Sequence, residues 1–327
     1  MCLVVYQGCD ISKGEPMSDW KVTLFGKFNI EREDERICEI EARKVQELFS
    51  YLLLFRNHPH PREILSESLW GDQLLDKPRK KLRQTLWRLR STLEKSKPSS
   101  GPKLLIDNEW IQIDLPDNFW LDTVEFEKIF NSVNGKRIQE LKMQDLKKMQ
   151  IAADIYNGDL LDGWYQDWCV FERERFQTMH LMLLDKLVQF CELHQKYDIG
   201  LAYGVEILRH DHAYERAHRQ LMRMYFMTGN RTQALHQYAR CMMALRDELD
   251  VEPSERTKQL YEQIRLDTFK PQLFVGEKVV SKTTVKAVPA LKNVLNRLEN
   301  VSITLNRLEH QIQEEIVALG DTSANHT

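Results

Sequence analysis

From Leu121 to about Leu266 the apolar residues of this chain recur at helical spacing almost without a break, in segments separated by Gly, Asn, Asp or Pro. Such a run predicts stacked helical pairs, because each pair has an apolar face that only a neighbouring pair can cover. An internal period of ~34 residues is faint but present. It is sharpest in ERAHRQLMRMYFMTGNRTQALHQYARCMMAL, through Leu221, Tyr225, Gly229, Ala234 and Tyr238. One period earlier, Leu187, Cys191 and Gly200 match more loosely. Small residues such as Gly200 and Ala234 predict close approach of paired helices.

That period is the length of a tetratricopeptide unit. The expected fold class is therefore mainly α, with an all-α, tetratricopeptide-like repeat domain over 121–267. Upstream, over 19–116, the pattern differs. WKVTLFGKFNIE (20–31) and RICEI (36–40) partly alternate and predict short strands. ARKVQELFSYLLLFR (42–56) changes to helical spacing through Val45, Leu48, Phe49, Leu52 and Leu53, and the prolines of NHPHP end that helix. REILSESLW predicts a short helix burying Ile64, Leu65, Leu69 and Trp70, broken at Gly71-Asp72. A third helix follows, with Pro78 suited to its first turn. SKPSSGP (96–102) reads as a loop, and residues 103–106 and 110–115 flank Asp107-Asn108-Glu109 as a β-hairpin. The order is strands, three helices, hairpin.

The third helix, DKPRKKLRQTLWRLRSTLEKSK (76–97), points to a partner. Leu82, Leu86, Leu89 and Leu93 fall within roughly 60° of one another on a helical wheel. Lys80, Arg83, Gln84, Trp87, Arg88 and Ser91 occupy most of the other side, and Lys77, Arg79, Lys81, Arg90, Lys95 and Lys97 add charge. The chain as a whole carries a net charge of −3, so the basicity is concentrated here. Cations neutralise phosphates, and Arg and Gln forks pair with base edges in the major groove. Double-stranded DNA is the expected partner.

Other classes of function find no foothold. No apolar run approaches the ~20 residues that cross a bilayer. The N-terminal MCLVVYQGCD lacks a positive n-region and a small-residue cleavage site, which argues against a signal peptide. Residues 1–18 read as an unstructured extension, with translation from either Met1 or Met17. Cys2, Cys9, Cys38, Cys169, Cys191 and Cys241 are scattered without a C-x-x-C pair, as expected of reduced thiols in a cytoplasmic protein. His58, His60, His210 and His212 lack partners at metal-ligand spacing. No phosphate-binding loop, dinucleotide fingerprint or nucleophile elbow occurs, and no nucleophile is paired with a base. No enzyme activity, cofactor or metal is expected.

Residues 268–288 read as a linker. In 289–319, Leu291, Val294, Leu298, Val301, Leu305, Leu308, Ile312 and Leu319 keep a heptad alternation broken at Glu315. This predicts a coiled-coil helix and a homodimer.

The order of elements over 20–115 resembles the winged helix-turn-helix of the OmpR type, in which the third helix reads DNA and the hairpin is the wing. IYNGDLLDGWYQDWCVFERERF (155–176), DHAYERAHRQLMRMYFMTGNRTQALHQY (211–238) and LRDELDVEPSERTKQLYEQI (245–264) resemble the bacterial transcriptional activator domain. Together they resemble the Streptomyces antibiotic regulatory protein (SARP) family. The pattern departs from that family at His212, where proline is usual, and at Asp250, where glycine is usual in a tight turn. The resemblance implies a promoter-binding transcriptional regulator, an activator acting as a dimer on tandem direct repeats, with RNA polymerase as a further partner. It places Lys80, Arg83, Gln84, Trp87 and Arg88 on the groove side. Arg83, Gln84 and Arg88 are assigned to base edges or nearby phosphates, and Arg79 and Lys80 to phosphates.

Two residues stay open at this level. Trp87 could pack a thymine methyl or sugar, or tuck against the wing. Asn108 at the wing tip could reach the minor groove or phosphate, or serve only its turn. Tyr156, Trp164, Tyr165, Trp168 and Phe171 read as inter-helix core rather than a ligand pocket, Met222, Met224, Met227, Met242 and Met243 as packing filler, and Glu172 and Arg173 as a bridge between domains. The competing function is a protein-interaction scaffold, using the repeat groove and coiled coil beside a degenerate winged helix.

Overall fold

The computed structural model describes residues 20–32, 35–36, 40, 42–70, 77–95 and 101–270. The expected 1–18 extension, most of the 268–288 linker and the 289–319 heptad segment, with Leu291, Val294, Leu298, Val301, Leu305, Leu308, Ile312 and Leu319, lie outside these residues.

Strands β1 (Trp20–Thr23), β2 (Asn29–Arg32) and β3 (Glu35–Arg36) form an antiparallel meander with Val22 opposite Ile30. Val22, Leu24 and Ile30 point inward, as their alternation requires. α1 (Arg43–Leu54) buries Val45, Leu48, Phe49, Leu52 and Leu53. Beyond it the His-Pro pair does more than end a helix: β4 (His60–Pro61) pairs with the later hairpin, His60 opposite Ile111. α2 (Arg62–Trp70) buries Leu65, Leu69 and Trp70. Ile64, expected inside, is exposed, because it lies about 100° around the helix from Leu65. α3 (Pro78–Lys95) is followed by the hairpin β5 (Lys103–Ile106) and β6 (Trp110–Asp114), giving a three-stranded sheet in the order β4-β6-β5.

β7 (Phe119–Leu121) was not expected. It pairs in parallel with β1, Trp20 opposite Phe119 and Val22 opposite Leu121, and completes the first sheet in the order β3-β2-β1-β7. The helical lobe starts at the next residue. It comprises α4 (Asp122–Asn134), a 3₁₀ turn (Ile138–Glu140), α5 (Met143–Ile155), α6 (Asp167–Leu193), α7 (Tyr197–His210), α8 (Glu215–Met227), α9 (Arg231–Leu249) and α10 (Glu255–Arg265). From α6 onward each helix packs on the next.

The small residues act as their spacing predicts. A Cβ on Gly200 would stand 2.7 Å from Met224 Sδ, and one on Gly204 2.7 Å from Leu221 Cδ2, so α7 lies against α8 at backbone distance. Ala234 is fully buried. The E-R-A-H and E-P-S-E-R-T signatures meet in space: Glu215 at the start of α8 accepts from Ser254 N–H at 2.9 Å and Ser254 Oγ at 2.6 Å, and from the Thr257 hydroxyl. Asp250 ends α9 in the left-handed conformation, φ 53° and ψ 39°, the backbone expected where glycine is usual.

The two lobes share one hydrophobic core. Phe25 of the first lobe packs its ring on Phe126, Tyr156 and Phe176 of the second, at centroid distances of 5.5, 4.7 and 5.3 Å. Backbone bonds follow the same seam: Gly26 N–H to Asp159 O (2.9 Å), Leu161 N–H to Leu24 O (2.7 Å) and Asp162 N–H to Gly26 O (2.7 Å). Asp122 is buried in it, accepting from the N–H groups of Leu24 (2.6 Å), Phe25 (2.7 Å) and Thr123 (2.7 Å). Burial pushes its carboxyl up to about 7, against the pull of those donors.

Several expectations for the helical lobe need correction. Arg173 spans no gap by itself. It donates to the carbonyls of Leu160 (2.9 Å), Leu161 (2.9 Å) and Trp164 (2.8 Å), shaping the loop that pairs with the first lobe. Glu172 instead pairs with Arg175. Of the aromatic group, Tyr156 and Trp164 are buried and Trp168 half-buried, but Tyr165 is 83% and Phe171 68% exposed. Met222 and Met224 fill core space, whereas Met242 and Met243 are exposed. Among the described residues Cys169, Cys191 and Cys241 are buried free thiols, and burial raises all three thiol pKa values.

Candidate nucleic-acid interface

α3 has two faces. Leu82, Leu86, Leu89 and Leu93 are all buried, anchoring the helix on α1 and α2. Thr85, also inward, returns its hydroxyl to the Lys81 carbonyl at 3.0 Å. The opposite face presents Lys80, Arg83, Gln84, Trp87 and Arg88, every one exposed, with Ser91 half-buried beside them. Among the described residues the side chains of Lys80, Arg83, Gln84 and Arg88 make no hydrogen bond or ion pair. Free cations and an amide along one ridge leave donors directed at solvent, the arrangement that a polyanion satisfies.

The remaining basic residues divide differently. Arg79, expected on phosphate, is held by Glu63 of α2 in an exposed ion pair. Arg90 is bridged to Glu94 one turn on, at 2.6 Å. The cleft between the α2 and α3 N-terminal turns is lined by Glu63, Ser66, Glu67, Lys77, Arg79, Lys80 and Arg83, so its α2 wall is acidic and its α3 wall basic. Sequence inspection missed Glu63, because the pairing spans the break between two helices and no local spacing announces it.

The hairpin tip is braced from α2. Arg62 donates from its backbone N–H to Glu109 O at 2.9 Å and from its guanidinium to Asp107 O at 3.0 Å. Arg62 was also overlooked, since it sits outside the basic run. Asp107 supplies the turn's own bond, accepting from the Asn108 N–H at 2.6 Å, which leaves the Asn108 side chain exposed at the tip. Trp87 does not tuck against the hairpin: it is 68% exposed and makes no ring contact with Trp110 or any other described residue.

Among the described residues no group of His, Cys, Asp or Glu is arranged to hold a metal ion, and no helix is long and apolar enough to cross a membrane.

The model of the bacterial transcriptional activator domain matches residues 121–265. Comparison with curated protein sequences gives no match. Among solved structures, Mycobacterium tuberculosis EmbR, determined in complex with a low-affinity phosphopeptide, is similar over 84% of this chain and 71% of its own, with a TM-score of 0.64 and 17% identity. That likeness establishes the fold across both lobes. Residues 121–265 thus carry a bacterial transcriptional activator domain, behind a lobe with the strand, three-helix and hairpin order of a winged helix-turn-helix.

Proposed function

We propose that this protein is a sequence-reading, DNA-binding regulator that acts at promoters as an activator. α3 enters the major groove, Arg83, Gln84 and Arg88 meet base edges or adjacent phosphates, Lys80 meets phosphate, and Asn108 at the wing tip lies over the neighbouring backbone. Residues 289–319 join two copies through the heptad positions from Leu291 to Leu319. The helical lobe then spaces the two reading heads on direct repeats and contacts RNA polymerase. The reading belongs to a cytoplasmic, non-enzymatic protein without a cofactor. It is carried by one observation: a helix whose leucine face is buried and whose opposite face holds cations with no partner of their own among the described residues.

The test is selection of genomic fragments by the purified full-length protein at near-physiological salt. A recurrent motif with direct-repeat spacing, bound with a steep salt dependence, is the expected result. Recovery of random DNA or none would move the function to the exposed surface of the repeats and to the heptad segment, as in a scaffold. Deletion of 289–327 is expected to lower the mass in solution, and an unchanged mass would remove the dimer from the proposal.

A further inference from the structure

One side chain on the groove side of α3 is not accounted for by charge. Trp87 stands exposed in the helix's third turn, beside Arg88 and one turn on from Arg83 and Gln84. Trp20 and Trp70 of the same lobe are buried. A tryptophan left in water forgoes the apolar burial those two obtain, and an exposed tryptophan among free cations is a surface suited to an apolar group on an anionic partner. On the edges of base pairs in the major groove the apolar group is the C5-methyl of thymine. Gln84, three residues earlier on the same face, is the residue type that bonds adenine N6 and N7 together. Three residues of helix advance about 4.5 Å, close to the ~3.4 Å between base pairs.

We propose that Trp87 reads a thymine by laying its indole on the C5-methyl, next to an A·T pair read by Gln84. The target site then carries an adenine and a thymine at neighbouring positions beneath α3. This inference rests on the DNA reading proposed above and adds the base that the apolar position selects.

The experiment uses the full-length protein and a selected site in which each thymine is replaced, one at a time, by deoxyuridine, removing only the methyl. Wild type is expected to lose affinity about fourfold at one thymine, the size of one methyl's burial. Trp87→Ala is expected to bind the unmodified site less tightly and to be indifferent to uracil there. Its fold, checked by circular dichroism, is expected to be unchanged because the side chain is exposed. If wild type tolerates uracil everywhere, or Trp87→Ala keeps the same sensitivity, the thymine assignment falls while DNA reading stands. If the protein selects no sequence at all, with a Kd that no change of bases moves, the DNA reading itself falls and takes the assignment with it.

Discussion

Several arginines of the helical lobe and two of α3, Arg83 and Arg88, are the same residue in opposite settings. In the repeats, Arg173 is spent on three carbonyls, Arg216 faces Asp185 at 3.3 Å, Arg219 faces Glu215 at 3.3 Å, and Arg223 lies in a two-bond fork with Glu192. Arg231 donates to the carbonyl of Ile264 at 3.0 Å, fastening α9 to the end of α10. On α3, Arg83 and Arg88 have no such partner among the described residues. A planar fork with five donors is satisfied internally where it organises loops and helix ends; on α3 two forks are left open, as the proposed DNA contact requires. Lack of a partner is not by itself the mark of recognition, since Arg246 and Arg256 of the repeats share it; on α3 the open forks lie on one ridge with Lys80 and Gln84.

Removing Arg173 should produce the largest effect on the architectural side. Arg173→Ala leaves three carbonyls of the 160–164 loop without their donor, and a loss of about 2–4 kcal/mol in denaturant unfolding is expected. An unchanged midpoint would show that the loop holds without it. On the recognition side, Arg83→Ala and Arg88→Ala are each expected to weaken specific DNA binding by about 1–3 kcal/mol while leaving the unfolding midpoint in place. If both variants unfold early and bind normally, the two classes of arginine have been assigned the wrong way round.

Asp122 sharpens the same division through pH. Its native carboxyl holds a proton up to about pH 7, against an ordinary value of 3.8, so the native state binds the proton more tightly than the unfolded one. The associated stability is therefore fully present below about pH 3.8 and is lost as pH rises through 7. Wild type should lose stability across that window more steeply than Asp122→Asn, as read from unfolding curves at several pH values. Parallel slopes would remove Asp122 as the source.

Two smaller effects follow. Asp250→Gly relieves a left-handed residue of its Cβ and is expected to stabilise by about 0.5–1 kcal/mol, raising Tm by a few degrees. Glu63→Gln releases Arg79 from an exposed ion pair. Such pairs are weak, so DNA affinity should rise only about twofold, with a slightly steeper salt slope as one more cation reaches phosphate. A fall in affinity would mean that Glu63 positions Arg79 rather than withholding it.

Much of this was legible in the chain because helices advertise their faces. The α3 leucines, the buried side of α1 and the close approach at Gly200 all follow from local periodicity. What escaped inspection depends on partners distant in sequence. β4 and β7 are two and three residues long and exist only because the hairpin and β1 supply their ladders. The Arg62 brace, the Glu63–Arg79 pair and the Asp122 anchor likewise join residues that no window brings together. Tyr165 and Phe171 lie outside although aromatic residues are usually inside, and periodicity near the start of α6 is too short to show it. At α3 the face was legible, but whether each cation was free or already engaged was not.

The parallel strand β7 bears on how such a molecule can be taken apart. A cut at residue 116 would strip β1 of one neighbour and open Trp20 and Val22 along that edge, so the first sheet is complete only when the chain runs on past the hairpin. Grafting this winged helix onto a foreign regulator would require residues 119–121, Asp122 and the 159–162 loop to travel with it. The rings around Phe25, the backbone bonds at Gly26 and the Asp122 anchor make the boundary between winged helix and repeats a seam of one folded unit rather than a linker.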